Sequence, residues 1–123
     1  MRAEERFPRP SVMGVVNVTP DSFSDGGVNF EPAAAVATAR RLYAEGAAIV
    51  DIGGVKAAPG VPVDAAEELD RVLDLVEQAR ERHPQIVISV DTFRASVGDA
   101  VCRAGADLIN DAWGGWEPEL AEV

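Results

Sequence analysis

Residues 47–52, with the sequence AAIVDI, form one of four short apolar runs that decide the fold of this chain. The run is rich in β-branched residues and almost continuously hydrophobic, which is typical of a strand buried on both faces of a parallel sheet. The other three runs have the same character and are residues 12–18 (VMGVVNV), 86–91 (IVISVD) and 107–110 (DLIN). The sequence therefore predicts four parallel strands.

Helical patterns fill the intervals between these runs. The first spans residues 32–45 and ends at Gly46, a residue suited to a helix C-cap. The third spans residues 93–104, with Thr92 as the expected N-cap and Gly105 as the terminator.

The second helix carries the clearest start and stop signals. It is predicted over residues 65–82, with Asp64 as the N-cap and Glu67 completing a capping-box spacing. His83 and Pro84 end it, because the residue before a proline is pushed out of helical geometry. The buried face expected from the helical period consists of Leu69, Val72, Leu73 and Val76.

The order β-α-β-α-β-α-β predicts an α/β fold with right-handed crossovers between parallel strands. Two architectures fit: an open doubly wound sheet, and the N-terminal half of a (β/α)8 TIM barrel. A complete barrel takes about 250 residues, so a barrel of 123 residues would be truncated. Residues 1–10 are predicted to be a disordered lead-in, and residues 11–123 one partial domain.

The composition indicates an ordinary globular domain that is strongly acidic. Of the 123 residues 47% are hydrophobic, and the net charge is -10. That charge argues against nucleic acid or an anionic membrane surface as a partner. The single cysteine, Cys102, excludes an internal disulfide framework. No apolar run approaches the ~20 residues of a membrane span. Because the first residues also lack an apolar stretch suited to a signal peptide and the one thiol is unpaired, we expect a cytoplasmic protein.

Polar side chains stand at the carboxyl ends of the four predicted strands. They are Asn17, Asp51, Asp91, Asn110 and Asp111. Ligands of parallel α/β folds bind at this end of the sheet, and a carboxylate is costly to bury there without a partner. The convergence favours a site for a polar ring or a hard cation. Each Asp or Asn could instead cap a helix or a turn, so both interpretations stay open.

Four motifs resemble the dihydropteroate synthase family, in the same order along the chain. The longest is MGVVNVTPDSFSDGG at residues 13–27, and the others are GAAIVDIGG (46–54), ISVDT (88–92) and GADLIND (105–111). The resemblance implies a (β/α)8 barrel and a transferase of folate biosynthesis. The implied reaction condenses 6-hydroxymethyl-7,8-dihydropterin diphosphate with p-aminobenzoate and releases pyrophosphate.

The same resemblance implies roles for single residues. Asn17 is implied as the ligand of a Mg²⁺ ion that also holds the diphosphate, and Asp91 and Asn110 as the groups that hydrogen-bond the pterin. No nucleophilic side chain is implied, so no catalytic residue is assigned, and a homodimer is expected through strands beyond the fourth. A mobile first loop is implied that closes over the site and includes Thr19, Pro20, Asp21, Ser22 and Phe23.

The second loop departs from the family pattern. Where the family reads Gly-Gly-Glu-Ser-Thr-Arg-Pro-Gly, residues 53–60 read GGVKAAPG, so Ala57 and Ala58 replace a threonine and an arginine that contact the diphosphate. Lys56 keeps one positive charge but lacks the bidentate fork of a guanidinium. The alternative expectation is a divergent pterin-binding paralogue, or a truncated product, without synthase activity. The 123-residue chain alone is expected to be inactive and to self-associate.

Overall fold

The computed structural model describes residues 2–18, 32–54 and 63–123, in which strands alternate with helices as the sequence predicts. The strands are β1 (Met13–Asn17), β2 (Ile49–Gly53), β3 (Val87–Asp91) and β4 (Leu108–Asn110). The helices are α1 (Ala3–Arg6), α2 (Pro32–Ala44), α3 (Ala65–Arg82) and α4 (Ala95–Ala104), followed by a 3-10 helix at Pro118–Glu122.

The four strands form one sheet in the order β1-β2-β3-β4, and each neighbouring pair is parallel. The strand order does not reverse, as it would at the switch point of a doubly wound sheet. This order favours the first four strands of a barrel over an open doubly wound sheet. The register places the last residues of the strands level with one another: Asn17, Gly53, Asp91 and Asn110.

The hydrophobic core lies between one face of this sheet and helices α2, α3 and α4. Alternate strand residues point to opposite faces, and the strand members of the core share one face: Val16, Val50, Ile52, Ile88 and Val90. The helices add Val36, Ala39, Val72, Leu75, Val76, Ala79, Val97 and Val101. On the other face Met13 and Val15 are exposed, whereas Asp51 and Ser89 are buried. The polar residues of the site therefore belong to the face turned away from the helices.

Helix α3 has the predicted bounds but a partly different buried face. Asp64 is its N-cap and accepts a hydrogen bond from the Glu67 backbone N–H at 2.8 Å, as predicted. The assignment of Leu73 to the buried face is wrong, because Leu73 is only half-buried and lies outside the core, whereas Leu69, also half-buried, packs against the core as predicted. The spacing of apolar residues predicts the core-facing side of a helix only to within about one position. Because α3 packs against both α2 and α4, the residues that it buries are shifted around the helix relative to the predicted ones. The buried residues are Glu68, Val72, Leu75, Val76 and Ala79.

Helix α4 begins at Ala95 instead of the predicted residue 93, and Thr92 is not its N-cap. The residue in the cap position is Arg94, whose side chain is bonded elsewhere. The Ala95 backbone N–H donates to Glu117 Oε2 at 2.8 Å, so a residue from the chain after β4 caps this helix. Local sequence could not show a contact between such distant positions. The predicted terminator is confirmed, since Gly105 follows α4 with φ +119°.

The chain before β1 carries one helical turn. This turn, α1, lies within the stretch predicted as a lead-in, and the Arg2 backbone N–H donates to Glu5 Oε2 at 3.3 Å. Arg6 reaches Asp107 at 4.0 Å and so ties the turn to the residue before β4. Among the helices of the described ranges, none combines the length and the hydropathy that crossing a bilayer requires.

Candidate functional site

The carboxyl ends of the strands form a row of polar groups on the face away from the helices. The row consists of Asn17, Gly53, Asp91 and Asn110, one residue from each strand. Asp51 and Ser89 are aligned with each other two residues earlier and lie on the same face. The structure thus brings together the predicted site residues Asn17, Asp91 and Asn110.

Asp51 is buried, with only 4% of its surface exposed, and both of its carboxylate oxygens are hydrogen-bonded. Oδ1 accepts from Ser89 Oγ at 2.6 Å, and Oδ2 accepts from Asn110 Nδ2 at 3.1 Å. These bonds offset the cost of burying the carboxylate. Asp51 therefore holds its neighbours in place with the oxygens that a ligand would otherwise use.

Asp91 is in a different electrostatic state. Burial, and then the negative charges of Asp51, Glu68 and Asp111, raise the pKa of Asp91 from 3.8 to about 6. Its Oδ1 is buried and has no hydrogen-bond partner among the described residues. An unsatisfied buried acceptor costs about 1–3 kcal/mol, and a ligand that brings an N–H group to it would recover that cost.

The side chains of Asn17 and Asp91 lie on either side of Gly53, within van der Waals distance of the position that its Cβ would occupy. Asn17 Oδ1 lies 3.7 Å, and Asp91 Oδ2 lies 3.8 Å, from the position that a Cβ on Gly53 would occupy. An amide oxygen and a carboxylate oxygen are the hard ligands that Mg²⁺ prefers, and this ion usually keeps waters and substrate phosphates as its remaining ligands. The donor set fits a Mg²⁺ ion that is completed by a phosphorylated substrate. Within the described ranges, no three His, Cys, Asp or Glu side chains are grouped to hold a metal by themselves.

A buried ion pair below the row was missed in the sequence. Glu68 on α3 is 0% exposed, and its Oε1 accepts from Arg94 Nη1 at 2.6 Å. The same guanidinium donates to the backbone oxygen of Val63. The helical spacing of Glu68 from Val72 and Leu75 was the signal that could have placed it on the buried face.

Asp111 has the structural role that the sequence left open for it. Its Oδ1 accepts from the Trp113 backbone N–H at 2.9 Å, and its Oδ2 accepts from the Gly115 N–H at 2.8 Å. Gly114 and Gly115 have φ values of +72° and +82°, so glycine permits the turn that the carboxylate closes. Asp111 therefore organises the loop after β4 and acts on the site through its charge.

Three aromatic rings pack beside the row. Phe93 lies 5.2 Å from Trp113 and 6.1 Å from Trp116, measured between ring centroids. The Arg94 guanidinium carbon stands 4.7 Å from the centre of the Phe93 ring. Trp113 is half-buried, whereas Trp116 is 72% exposed. The cluster packs the segment that follows β3 against the segment that follows β4, next to Asp91 and Asn110 at the ends of these strands.

Cys102 lies on α4, outside this row, and is half-buried. Burial, and then the charges of Asp99 and Asp107, raise the pKa of its thiol. A nucleophilic cysteine requires the opposite shift. This environment agrees with a packing role for Cys102.

Two predicted features lie outside the described residues. One is the first loop with Thr19, Pro20, Asp21, Ser22 and Phe23, and the other is the part of the second loop that contains Lys56, Ala57 and Ala58. Their predicted roles stay predictions.

Comparison with known proteins finds relatives that all belong to one family. The family model of the pterin binding enzymes matches residues 13–123. A protein of Mycobacterium tuberculosis (strain ATCC 25618 / H37Rv) named inactive dihydropteroate synthase 2 is 50% identical over 115 residues, which are 94% of this chain and 36% of the relative. The dihydropteroate synthase of Staphylococcus haemolyticus is 43% identical over 117 residues, which are 94% of this chain and 43% of the relative.

Solved structures of dihydropteroate synthases share the fold. The Yersinia pestis enzyme in a sulfonamide drug complex matches with a TM-score of 0.86 and 46% identity over 94% of this chain and 42% of that one. The Burkholderia cenocepacia enzyme complexed with 7,8-dihydropteroate matches with a TM-score of 0.76 and 42% identity over 94% of this chain and 38% of that one. The predicted fold class, four parallel strands of a barrel, is confirmed. The chain spans only 36% to 43% of the length of these four relatives.

Proposed function

The chain belongs to the pterin binding enzymes, and we propose that its strand ends form the pterin-binding part of a dihydropteroate synthase-type transferase. The observation that carries the proposal is the unpartnered buried oxygen of Asp91, which lies in register with Asn110. The aminopyrimidine edge of a pterin carries several N–H donors. Asp91 can accept from them, and an Asn side chain offers both a donor and an acceptor.

The reaction needs binding and orientation more than it needs a nucleophilic side chain. The amino nitrogen of p-aminobenzoate bonds to the pterin methylene carbon, and the amine gives up one proton. The carbon–oxygen bond to the diphosphate breaks, and pyrophosphate leaves with the electron pair. Asp91 and Asn110 would hold the ring with its methylene carbon directed toward the Asn17 end of the row, where the diphosphate would lie.

Asn17 would hold the Mg²⁺ ion together with oxygens of the diphosphate. When bound, the ion supplies charge neutralisation to the leaving group. Asn17 lies at the end of β1, level with Gly53, where no side chain separates it from Asp91. The protein thus contributes an oxygen ligand at a fixed position on a rigid strand.

A second candidate function is pterin binding without synthase activity. Two observations favour it. The relatives named inactive dihydropteroate synthase 2 are 50% identical to this chain, against 43% for the Staphylococcus haemolyticus synthase. In addition, Ala57 and Ala58 stand where the family carries a threonine and an arginine for the diphosphate.

The deciding experiment uses the protein as its native source makes it. Calorimetry measures the binding of 6-hydroxymethyl-7,8-dihydropterin, and a turnover assay measures dihydropteroate formed from its diphosphate and p-aminobenzoate. Binding with turnover supports the transferase. Binding without turnover supports the second candidate. No binding overturns both.

A cytoplasmic location and a homodimer are part of the same proposal. A single thiol, Cys102, suits a reducing compartment. The homodimer is proposed through strands beyond the fourth. Exposed Val12, just before β1, and Val15 on β1 support instead the separate expectation that the 123-residue chain alone self-associates.

A further inference from the structure

We infer that Asp51 is a positioning residue that fixes which end of the Asn110 amide faces the ligand, and so sets the specificity of the site for rings rich in N–H donors. The inference rests on the proposed pterin site. It concerns a residue that need not touch the ligand, and it assigns a reason for a carboxylate to be buried in that place.

The geometry leaves one orientation for the amide. An ionised carboxylate only accepts hydrogen bonds, so the NH₂ end of Asn110 must face Asp51 Oδ2, at 3.1 Å. The reverse orientation would set two acceptors against each other. Because Ser89 Oγ donates to the other oxygen of Asp51 at 2.6 Å, the carboxylate itself is held against rotation.

The contact is long-range within the sheet. Asp51 lies on β2 and Asn110 on β4, with β3 between them. Ser89 occupies the intervening position beside Asp51, and its small side chain leaves space for the Asn110 side chain to cross β3. A larger residue at this position would separate the two groups.

The consequence is a site edge with two fixed acceptors, the Asn110 Oδ1 and the unpartnered Asp91 oxygen. Asn110 uses one amide hydrogen on Asp51, which leaves its Oδ1 for the ligand, and Asp91 adds an unpartnered carboxylate oxygen in the same register row. A ring that brings N–H donors satisfies these acceptors. A ring that brings a carbonyl in place of an amino group leaves acceptors facing each other, which a polar site rejects strongly.

The test compares two rings and a small set of variants in the protein as its native source makes it. The probes are 6-hydroxymethyl-7,8-dihydropterin and the analogue in which the 2-amino group is replaced by a carbonyl. Calorimetry gives both dissociation constants for the wild type, Asp51→Asn, Ser89→Ala, Asn110→Ala, and the double variant Asp51→Asn/Asn110→Ala. Thermal melting of each variant checks that it is folded.

We expect Asp51→Asn to reduce the preference for the 2-amino ring by about tenfold, because an amide at position 51 can accept from or donate to Asn110 and lets it turn. Ser89→Ala, the control, removes the hydrogen bond that holds the carboxylate against rotation, but either oxygen of a carboxylate can only accept from Asn110, so the preference should be kept. In the Asn110→Ala background, Asp51→Asn should change the preference no further. An equal loss with and without Asn110 would mean that Asp51 has only a structural role, and would overturn the inference.

Two outcomes separate this inference from the proposed function. A folded wild type that binds neither ring contradicts the proposed function. The amide orientation is then read from the side-chain ¹⁵N–¹H resonances of Asn110 in the wild type, and the same measurement serves if Asp51→Asn does not fold. One slowly exchanging N–H, bonded to the carboxylate, is expected. Two N–H groups that exchange equally fast would overturn the inference.

Discussion

Arg94 Nη1 donates to Glu68 Oε1 at 2.6 Å, which joins the residue just before α4 to a glutamate that is 0% exposed on α3. The guanidinium also donates to the carbonyl oxygen of Val63, which lies just before the N-cap residue of α3. The pair lies behind the strand-end row and contributes a negative charge that acts on Asp91. It therefore links the packing of two helices to the electrostatics of the site.

Replacement of Arg94 should strongly reduce the free energy of unfolding of the domain. Arg94→Gln leaves Glu68 as a buried charge without its cation, and breaking such a pair costs about 3–5 kcal/mol. Urea unfolding followed by circular dichroism measures this loss. The control is Arg41→Gln, which breaks an ion pair with Glu45 whose side chains are 61% and 59% exposed, and should cost less than about 1 kcal/mol. Similar losses for the two variants would contradict a special role for the buried pair.

Asp91 should make the stability of the protein depend on pH. Because its folded pKa is raised from 3.8 to about 6, the neutral carboxyl is favoured in the folded state. The stabilising contribution is complete below pH ~3.8 and is lost as the pH rises through about 6. Asp91→Asn should therefore gain stability relative to the wild type above pH 6 and not at the acidic end. Unfolding curves at a series of pH values measure the difference, and parallel pH profiles would refute it.

The same substitution should cost affinity. Asp91→Asn places an amide, with donors of its own, where an acceptor faces the ring. We expect about tenfold weaker binding or more for 6-hydroxymethyl-7,8-dihydropterin, as for the loss of one hydrogen bond to a charged group. A variant that is more stable at neutral pH but binds the ring more weakly would show that the Asp91 carboxylate lowers the stability of the protein and strengthens ligand binding.

Gly53 and Gly54 are adjacent, but substitution by alanine should destabilise the protein at Gly54 and not at Gly53. A Cβ on Gly54 would lie 2.8 Å from Val72 Cγ1 and 3.2 Å from the Glu68 carbonyl oxygen. Gly54→Ala should therefore lose about 1–3 kcal/mol by forcing the end of β2 away from α3. A Cβ on Gly53 meets its nearest atoms at 3.7 Å, an ordinary contact distance, and should leave stability within about 0.5 kcal/mol of the wild type.

For Gly53→Ala the expected loss is in binding. Its methyl group would occupy the space between Asn17 and Asp91 in which we place the cation and the diphosphate. Calorimetry with the dihydropterin diphosphate and Mg²⁺ is compared with calorimetry on 6-hydroxymethyl-7,8-dihydropterin, which lacks the diphosphate. The comparison separates loss of diphosphate binding from loss of ring binding. We expect the variant to bind the dihydropterin diphosphate more weakly than the wild type does, and its affinity for the dihydropterin without diphosphate to fall less. An unchanged affinity for the diphosphate would place the cation elsewhere.

The second loop should control turnover and not ring binding. Restoring the family residues with Ala57→Thr and Ala58→Arg returns a guanidinium that can hold a phosphate with two hydrogen bonds. We expect a KM for the diphosphate substrate at least about tenfold lower, or measurable synthase activity where the wild type has none. Affinity for the ring without diphosphate should stay the same, and Ala58→Lys is the matched control for charge alone. No change in either measurement would exclude these two positions as determinants of synthase activity.

The sequence by itself determined the element order, the parallel sheet and the strand-end location of the site. These follow from local patterns: β-branched runs, helix caps at Asp64 and Gly105, and polar residues at strand ends. Asn17, Asp91 and Asn110 share one register row because parallel strands end on the same edge of a sheet. The four motifs also indicate the family from the sequence alone.

Only the tertiary structure decided what the individual carboxylates do. Asp51, Asp91 and Asp111 look alike as strand-end residues in the sequence, yet one holds Asn110, one is left with an unpartnered oxygen, and one closes a turn. Likewise, Glu68 is buried against Arg94, and Glu117 caps α4 from the chain after β4. The Asp111 turn is local, since its hydrogen bonds span only two and four residues. The other roles depend on which side chains the strand register and the helix rotation bring within hydrogen-bond distance, and residues 22 to 59 positions apart along the chain carry no local signal of such contacts.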